Sequence, residues 1–164
     1  MSDTKRQFFG TDGIRGKANV YPLTPEFTLR LGQAVAELLL EKNNTPPEWP
    51  TVVIGKDTRQ SGEMLEQAIA AGVNSRGVDV YLAGVVPTPA VAMLTRKRSA
   101  ILGVVISASH NPFEDNGIKF FGPDGFKFDD AFERELERRV LAEPTTHEGA
   151  TGRCFLMENA AEDY

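Results

Sequence analysis

The segment that most constrains the fold is the apolar run at residues 100–106, which stops abruptly at the polar sequence Ser107-Ala108-Ser109-His110-Asn111-Pro112. An unbroken apolar run that ends in turn-forming residues is typical of a strand buried on both faces, as in a parallel sheet. In α/β proteins, the loops that follow such strands often carry functional residues. The run therefore predicts a central strand, and the polar loop after it is the predicted functional site.

Helical and strand patterns alternate along the rest of the chain. Four helices are predicted to begin with the N-cap residues Thr24, Ser61, Thr88 and either Asp129 or Asp130. Further strands are predicted at residues 51–55, 78–83 and 118–121. This order predicts an α/β domain whose sheet is largely parallel, with one antiparallel strand at its edge.

Composition narrows the class of protein. The 164 residues, 41% hydrophobic and 25% charged, predict one globular domain at residues 1–145, with residues 146–164 as a linker and the truncated start of a second domain. A net charge of −5 argues against nucleic-acid binding. The sequence has no apolar run of about 20 residues, no signal-peptide core after its basic start, and a lone Cys154. We expect a cytoplasmic protein with neither nucleic-acid nor membrane partners.

Two further segments place charged residues at turns. In Gly10-Thr11-Asp12-Gly13-Ile14-Arg15-Gly16, the glycines allow close approach to a ligand, and the planar fork of Arg15 suits a phosphate. Taken alone, this loop is more often a solvated turn. Asp57 and Arg59 follow the strand at residues 51–55. They are candidates for positioning the reactive loop or its phosphate, with a solvated ion pair as the equally weighted alternative.

The polar loop itself leaves two chemical roles open. Ser109 is the candidate reactive residue, as a nucleophile or as a phosphate carrier whose neighbouring backbone amides bind oxyanions. It lacks the flanking glycines of a hydrolase nucleophile elbow. A proton relay would have to use the adjacent His110, because the only other histidine is His147 in the predicted linker. Taken alone, such a turn most often caps a structure.

Three segments together resemble the first domain of the phosphohexomutases in order and spacing. They are the Gly10–Gly16 loop, the Ser107–Pro112 loop and Asn116-Gly117-Ile118-Lys119-Phe120-Phe121. Within that superfamily, the motifs are similar to those of the bacterial phosphoglucosamine mutases, and the resemblance runs from about residue 8 to residue 153. It implies a three-layer α/β/α domain with a mixed, mostly parallel sheet.

The resemblance also implies roles for individual residues. Ser109 would be a phosphoserine that exchanges its phosphoryl group with a hexosamine phosphate through a bisphosphorylated sugar. Arg15 matches a family arginine that contacts the phosphoserine, His110 matches its neighbour, and Lys119 matches a proposed general base. The implied cofactor is Mg²⁺, bound by the phosphate on Ser109 and by an aspartate-rich loop of the second domain.

The sequence departs from the family pattern beyond this domain. It contains no Asp-Gly-Asp-Gly-Asp-Arg loop and no sugar-binding or phosphate-binding loop of the later domains. We therefore expect the chain to act with the remaining domains of the same enzyme and to be inactive alone. The alternatives are the same chemistry on mannose or glucose phosphate, a serine hydrolase or phosphatase, and a non-catalytic α/β binding module.

Overall fold

A computed structural model describes residues 5–164; residues 1–4, on which the expected lack of a signal peptide partly rests, lie outside the described residues. The strands are β1 (Ile14–Lys17), β2 (Thr51–Lys56), β3 (Asp79–Val85), β4 (Leu102–Ile106), β5 (Asp115–Phe121) and β6 (Cys154–Leu156). The helices are α1 (Pro25–Lys42), α2 (Ser61–Asn74), α3 (Thr88–Lys97) and α4 (Asp130–Leu141). Within this part of the chain, no helix is both long and apolar enough to cross a bilayer.

The six strands form one mixed sheet in the order β1-β5-β4-β2-β3-β6. Strands β4, β2, β3 and β6 are mutually parallel, whereas β5 is antiparallel to both of its neighbours. All five residues of β4 are buried, as expected for a central strand. The predicted fold class is thus confirmed.

The prediction that the antiparallel strand lies at the edge is wrong. Residues of the glycine-rich segment form β1, which pairs with β5 and covers its outer side. The sequence around Arg15 reads as a loop because two of its neighbours are glycines, and glycine disfavours strands. Its extended conformation depends on the hydrogen bonds of β5, a strand about a hundred residues later in the chain.

Helices cover both faces of the sheet. One core cluster joins residues of α1, α2 and α4 to Ile54 and Val104, while a second joins residues of α3 to Val53 and Val105. Because successive side chains of a strand point to opposite faces, neighbouring residues of β2 and β4 enter different cores. This arrangement makes the three layers. Helix α3 packs on β2 and β4.

Local helix signals were confirmed at two of the four expected N-caps. Thr24 and Asp129 each accept a hydrogen bond from the backbone amide three residues later, at 3.3 and 2.8 Å. Ser61 and Thr88, in contrast, are the first residues of their helices rather than the caps. The Ser61 hydroxyl instead accepts a hydrogen bond from the side-chain Nδ2 of Asn116 at 2.9 Å, so a long-range contact replaces the local one.

The segment after residue 145 is attached to the sheet. Strand β6 pairs in parallel with β3, and the Val80 amide donates to the Arg153 carbonyl at 2.8 Å. Further along, Ala160 is only 3% exposed and belongs to the second core cluster. The domain boundary at residue 145 remains a prediction, while the residues after it extend the sheet of this domain.

Gly13, immediately before β1, packs its backbone closely against β5. Its φ is +80°, and a Cβ at this position would lie 2.2 Å from the Ile118 carbonyl oxygen. We expect Gly13→Ala to lower the free energy of unfolding by roughly 2–3 kcal/mol, because it combines backbone strain with a clash against a strand. Urea unfolding of the purified chain measures this. Gly16→Ala is the matched control, because a Cβ there meets nothing within 4 Å; an equal loss in both variants would contradict the prediction.

Candidate active site

Strand β4 delivers the polar loop to the end of the sheet. The Ser107 amide donates to the Gly117 carbonyl at 3.0 Å, so the loop begins paired to β5. Ala108 is fully buried and anchors the loop, whereas Ser109 and His110 are exposed. Ser109 has a φ of +56°, in the left-handed region that residues with a side chain rarely adopt. The loop therefore presents Ser109 to solvent in an unusual backbone conformation.

The two hydroxyls of the loop differ in what they contact. Ser107 Oγ donates to a carboxylate oxygen of Asp57 at 2.7 Å and accepts from the Ser109 amide at 3.0 Å. Ser109 Oγ lies 3.1 Å from His110 Nδ1 and is otherwise turned outwards. The Ser107 hydroxyl thus both donates and accepts a hydrogen bond within the protein. Of the two, the Ser109 hydroxyl is the one in a position to react.

Arg59 lies at the centre of the hydrogen bonds around this loop. Its Nε donates to Asp57 at 3.0 Å, and its two Nη atoms donate to four backbone carbonyls. The carbonyls belong to Ser109, Asn111, Pro112 and Asp115. An arginine has five N–H donors, so this set occupies all of them. Arg59 therefore holds protein atoms and offers no remaining donor to a phosphate in this arrangement.

Asp57 completes the cluster as a carboxylate. Partial burial alone would raise its pKa, but hydrogen bonds from the Ser107 hydroxyl and from the Arg59 amide and guanidinium, with the charge of Arg59, lower the pKa below its ordinary value. One Asp57 oxygen accepts from both Ser107 and Arg59, and the other accepts from the Arg59 amide at 3.0 Å. Both oxygens of Asp57 are therefore committed to the loop.

Arg15 and Lys119 lie on adjacent strands and on one face of the sheet. Arg15 is opposite Gly117 in the β1–β5 pair, and Lys119 is opposite Val105 in the β4–β5 pair. Directly opposed residues share a face, and so do alternate residues of one strand. Val105 points to this same face of the sheet, and so does the position of Ser107, two residues further along the chain. The site thus combines one exposed serine with two cations from neighbouring strands.

Gly117 makes room for the Arg15 side chain. A Cβ at residue 117 would lie 2.7 Å from the Ser107 carbonyl oxygen and 3.0 Å from Arg15 Cγ. The Arg15 stem therefore passes over Gly117, next to the start of the polar loop. Within the described residues, Arg15 Nε is buried and has no hydrogen-bond partner. An unpaired guanidinium nitrogen is what a site for an anion would provide.

Lys119 is held less tightly than Arg59. Its side chain is 24% exposed, and its Nζ lies 3.9 Å from Oδ1 of Asp12, which is itself 58% exposed. Asp12 belongs to the tight turn between Gly10 and Gly13, whose backbones bond each other at 2.9 and 3.3 Å. The ammonium group therefore has one long ionic contact and access to solvent.

The structure bonds Arg59 to the Ser109 loop and places Arg15 and Lys119 on the neighbouring strands, and it also shows contacts that the sequence did not reveal. The Asp57–Ser107 bond and the four carbonyls on Arg59 join residues about fifty positions apart. No local pattern signals them. Asn116 was read only as part of a motif, yet it is fully buried and its side chain ties β5 to α2 through Ser61. The one sequence signal for this cluster was the position of Asp57 and Arg59 directly after a predicted strand.

The groove that contains Ser109 has a volume of about 440 Å³ and opens to solvent. Asp57, Arg59, Asn111 and Phe113 line it, and Phe113 is 82% exposed. Magnesium prefers six oxygen ligands, several of them carboxylate or phosphate. Among residues 5–164, no group of three or more His, Cys, Asp or Glu side chains is placed to hold a metal.

Comparisons with known proteins agree with the geometry. Residues 6–147 match the family described as phosphoglucomutase/phosphomannomutase, alpha/beta/alpha domain I. The phosphoglucosamine mutase of Bdellovibrio bacteriovorus is 56% identical over 145 residues, which cover 88% of this chain and 32% of that protein. The phosphoglucosamine mutase of Ruegeria sp. strain TM1040 is 58% identical over 161 residues, which cover 97% of this chain and 35% of that protein.

A solved structure shows the same fold. The crystal structure of a phosphoglucomutase/phosphomannomutase family protein from Burkholderia thailandensis superposes with a TM-score of 0.81 at 24% identity. The match covers 97% of this chain and 34% of that one. The chain therefore spans about a third of the length of the proteins it resembles.

Proposed function

The chain belongs to the phosphoglucomutase/phosphomannomutase family, of which it carries α/β/α domain I, and on this basis we propose that Ser109 is its phosphoserine. In a protein of the relatives' length, this domain would serve a phosphoglucosamine mutase, an isomerase that interconverts glucosamine 6-phosphate and glucosamine 1-phosphate. The observation that carries the proposal is the contrast between the engaged Ser107 hydroxyl and the exposed Ser109 hydroxyl.

The reaction consists of two phosphoryl transfers. In the first, a hydroxyl oxygen of the sugar phosphate attacks the phosphorus on Ser109, the bond from phosphorus to Ser109 Oγ breaks, and a bisphosphorylated sugar forms. The proton of the sugar hydroxyl passes to the neutral amine form of Lys119 as general base, and Ser109 Oγ takes up a proton from solvent as it leaves. In the second, Ser109 Oγ loses its proton and attacks the other phosphorus of the sugar, the bond from that phosphorus to the sugar oxygen breaks, and the sugar oxygen takes up the proton held by Lys119, so that the phosphoserine is restored. Such transfers depend mainly on positioning and on neutralising charge.

Arg15 and His110 act on the phosphoryl group. The guanidinium of Arg15 has an unpaired Nε next to the loop, and its fork matches phosphate oxygens. The His110 ring lies within hydrogen-bond distance of Ser109 Oγ and would orient that oxygen. Asp57 and Arg59, the candidates for positioning the reactive loop or its phosphate, both bond the loop that carries Ser109.

Magnesium, when bound, would neutralise charge on the phosphoryl group. The phosphate on Ser109 would be the ligand that this chain supplies. The remaining ligands would come from the portion of the relatives that this chain does not span.

Glucosamine is favoured over other sugars because relatives between 53 and 58% identical carry the name phosphoglucosamine mutase. The alternative is the same chemistry on mannose or glucose phosphate, which the family description includes. A non-catalytic α/β binding module is the alternative from another class. The exposed Ser109 hydroxyl, within hydrogen-bond distance of the His110 ring, favours chemistry over simple binding.

Phosphate on Ser109 is the test of this proposal. We expect the protein expressed at the relatives' full length to carry one phosphate, which peptide mass spectrometry should map to Ser109. The Ser109→Ala variant should lack it, and the Ser107→Ala variant should retain it. A phosphate that maps to Ser107, or a wild-type protein that stays unmodified after incubation with glucosamine 1,6-bisphosphate, would overturn the assignment.

A further inference from the structure

We infer that Arg59, together with Asp57 and Ser107, is a positioning residue that holds the backbone of Ser109 in its left-handed conformation. This inference rests on the proposed role of Ser109 as the phosphoserine. It assigns Arg59 to the loop and leaves the phosphate to other groups.

The backbone of Ser109 needs such support. At a φ of +56°, a residue with a Cβ is strained, and the conformation persists only where surrounding contacts fix it. Ser109 is also exposed, so packing of its side chain does not hold it. The support must come through the two peptide groups on either side of its Cα.

Both of these peptide groups are held by the same cluster. On one side, the Ser109 amide donates to Ser107 Oγ at 3.0 Å. On the other side, the Ser109 carbonyl accepts from Arg59 at 2.7 Å. Fixing the amide constrains φ, and fixing the carbonyl constrains ψ. Asp57 links the two anchors, because one of its oxygens accepts from both Ser107 and Arg59.

The guanidinium of Arg59 also forms hydrogen bonds to the rest of the loop. Arg59 also donates to the carbonyls of Asn111, Pro112 and Asp115, which span the turn from the loop into β5. A planar fork with five donors can satisfy this set, whereas the three donors of a lysine ammonium cannot. The Arg59 side chain in its ion pair with Asp57 is only 10% exposed, so water does not compete strongly for these bonds.

Substitutions of Arg59 in the full-length protein test the inference. We expect Arg59→Ala to lower kcat for the mutase reaction roughly 10²-fold with little change in KM, because the phosphoserine would be misplaced without loss of a substrate contact. Arg59→Lys should be similarly impaired although it keeps the charge. Added guanidinium should partly restore Arg59→Ala, while methylammonium should not. Arg138→Ala is the control: it removes an exposed arginine of α4 and should leave kcat unchanged.

Three outcomes would overturn the inference. They are wild-type kcat in Arg59→Ala, wild-type kcat in Arg59→Lys, and a raised KM with kcat unchanged, which would mean that Arg59 binds substrate phosphate. Arg59→Lys also covers the case in which Arg59→Ala does not fold. Activity retained by Ser109→Ala would instead refute the proposed function, so the two failures are distinguishable.

Discussion

Ser109→Ala is expected to abolish mutase activity, with a loss of kcat on the order of 10⁴-fold or more, because the variant has no oxygen to carry the phosphoryl group. The loss should appear as missing product when glucosamine 6-phosphate is supplied to the full-length protein. Binding of the sugar phosphate itself should persist, because Ser109 contributes a reacting atom rather than most of the contacts.

Ser107→Ala is the matched control for this prediction. It removes a hydroxyl two residues away, in the same loop, and breaks the contacts with Asp57 and with the Ser109 amide. We expect it to weaken transfer by roughly 10- to 100-fold, since it disturbs position without removing the phosphate carrier. If Ser107→Ala were the more damaging of the two, the phosphate carrier would be Ser107.

Lys119→Met is expected to lower kcat by about 10³-fold, within the range that general-base catalysis contributes. Methionine keeps much of the apolar stem between Val105 and the Gly10–Gly13 turn but has no amine to accept the proton of the sugar hydroxyl. The side chain is 24% exposed with a single 3.9 Å contact to Asp12, so its removal breaks no buried ion pair. Stability should therefore change little, and urea unfolding alongside the rate measurement checks this.

Lys97→Met provides the control for Lys119. Lys97 is 54% exposed at the end of α3 and pairs with Asp163. Its ammonium group bonds Asp163 and not the loop that carries Ser109 within residues 5–164, so its substitution should leave the rate unchanged. Near-normal turnover in Lys119→Met would show that another group accepts the proton.

Arg15 and Arg59 differ in their hydrogen bonds. Arg59 has all five donors on protein acceptors, whereas Arg15 keeps a buried Nε without a partner. The first arrangement fixes geometry before substrate arrives. The second leaves the guanidinium of Arg15 without the set of protein acceptors that Arg59 has, as the proposed contact with a phosphate on Ser109 requires.

Local sequence signals determined the elements with short-range causes. The apolar run ending at Ile106 predicted the buried central strand, because a strand without polar alternation requires cover on both faces. Thr24 and Asp129 predicted their helix starts, because an N-cap bonds an amide only three residues away. The motifs around Arg15, Ser109 and Lys119 also indicated the family that the comparisons show.

Only the tertiary structure decided the features that depend on distant partners. Strand β1 is too short and too rich in glycine to be predicted, and it exists because β5 offers it a free edge. The Ser61 hydroxyl bonds Asn116, fifty-five residues away, and does not cap its helix as expected. The four bonds from Arg59 to the carbonyls of residues 109–115 likewise join segments that no local window contains. The sequence alone thus supplied the candidate residues of the site, while long-range hydrogen bonds determined which hydroxyl is exposed and what holds the loop around it.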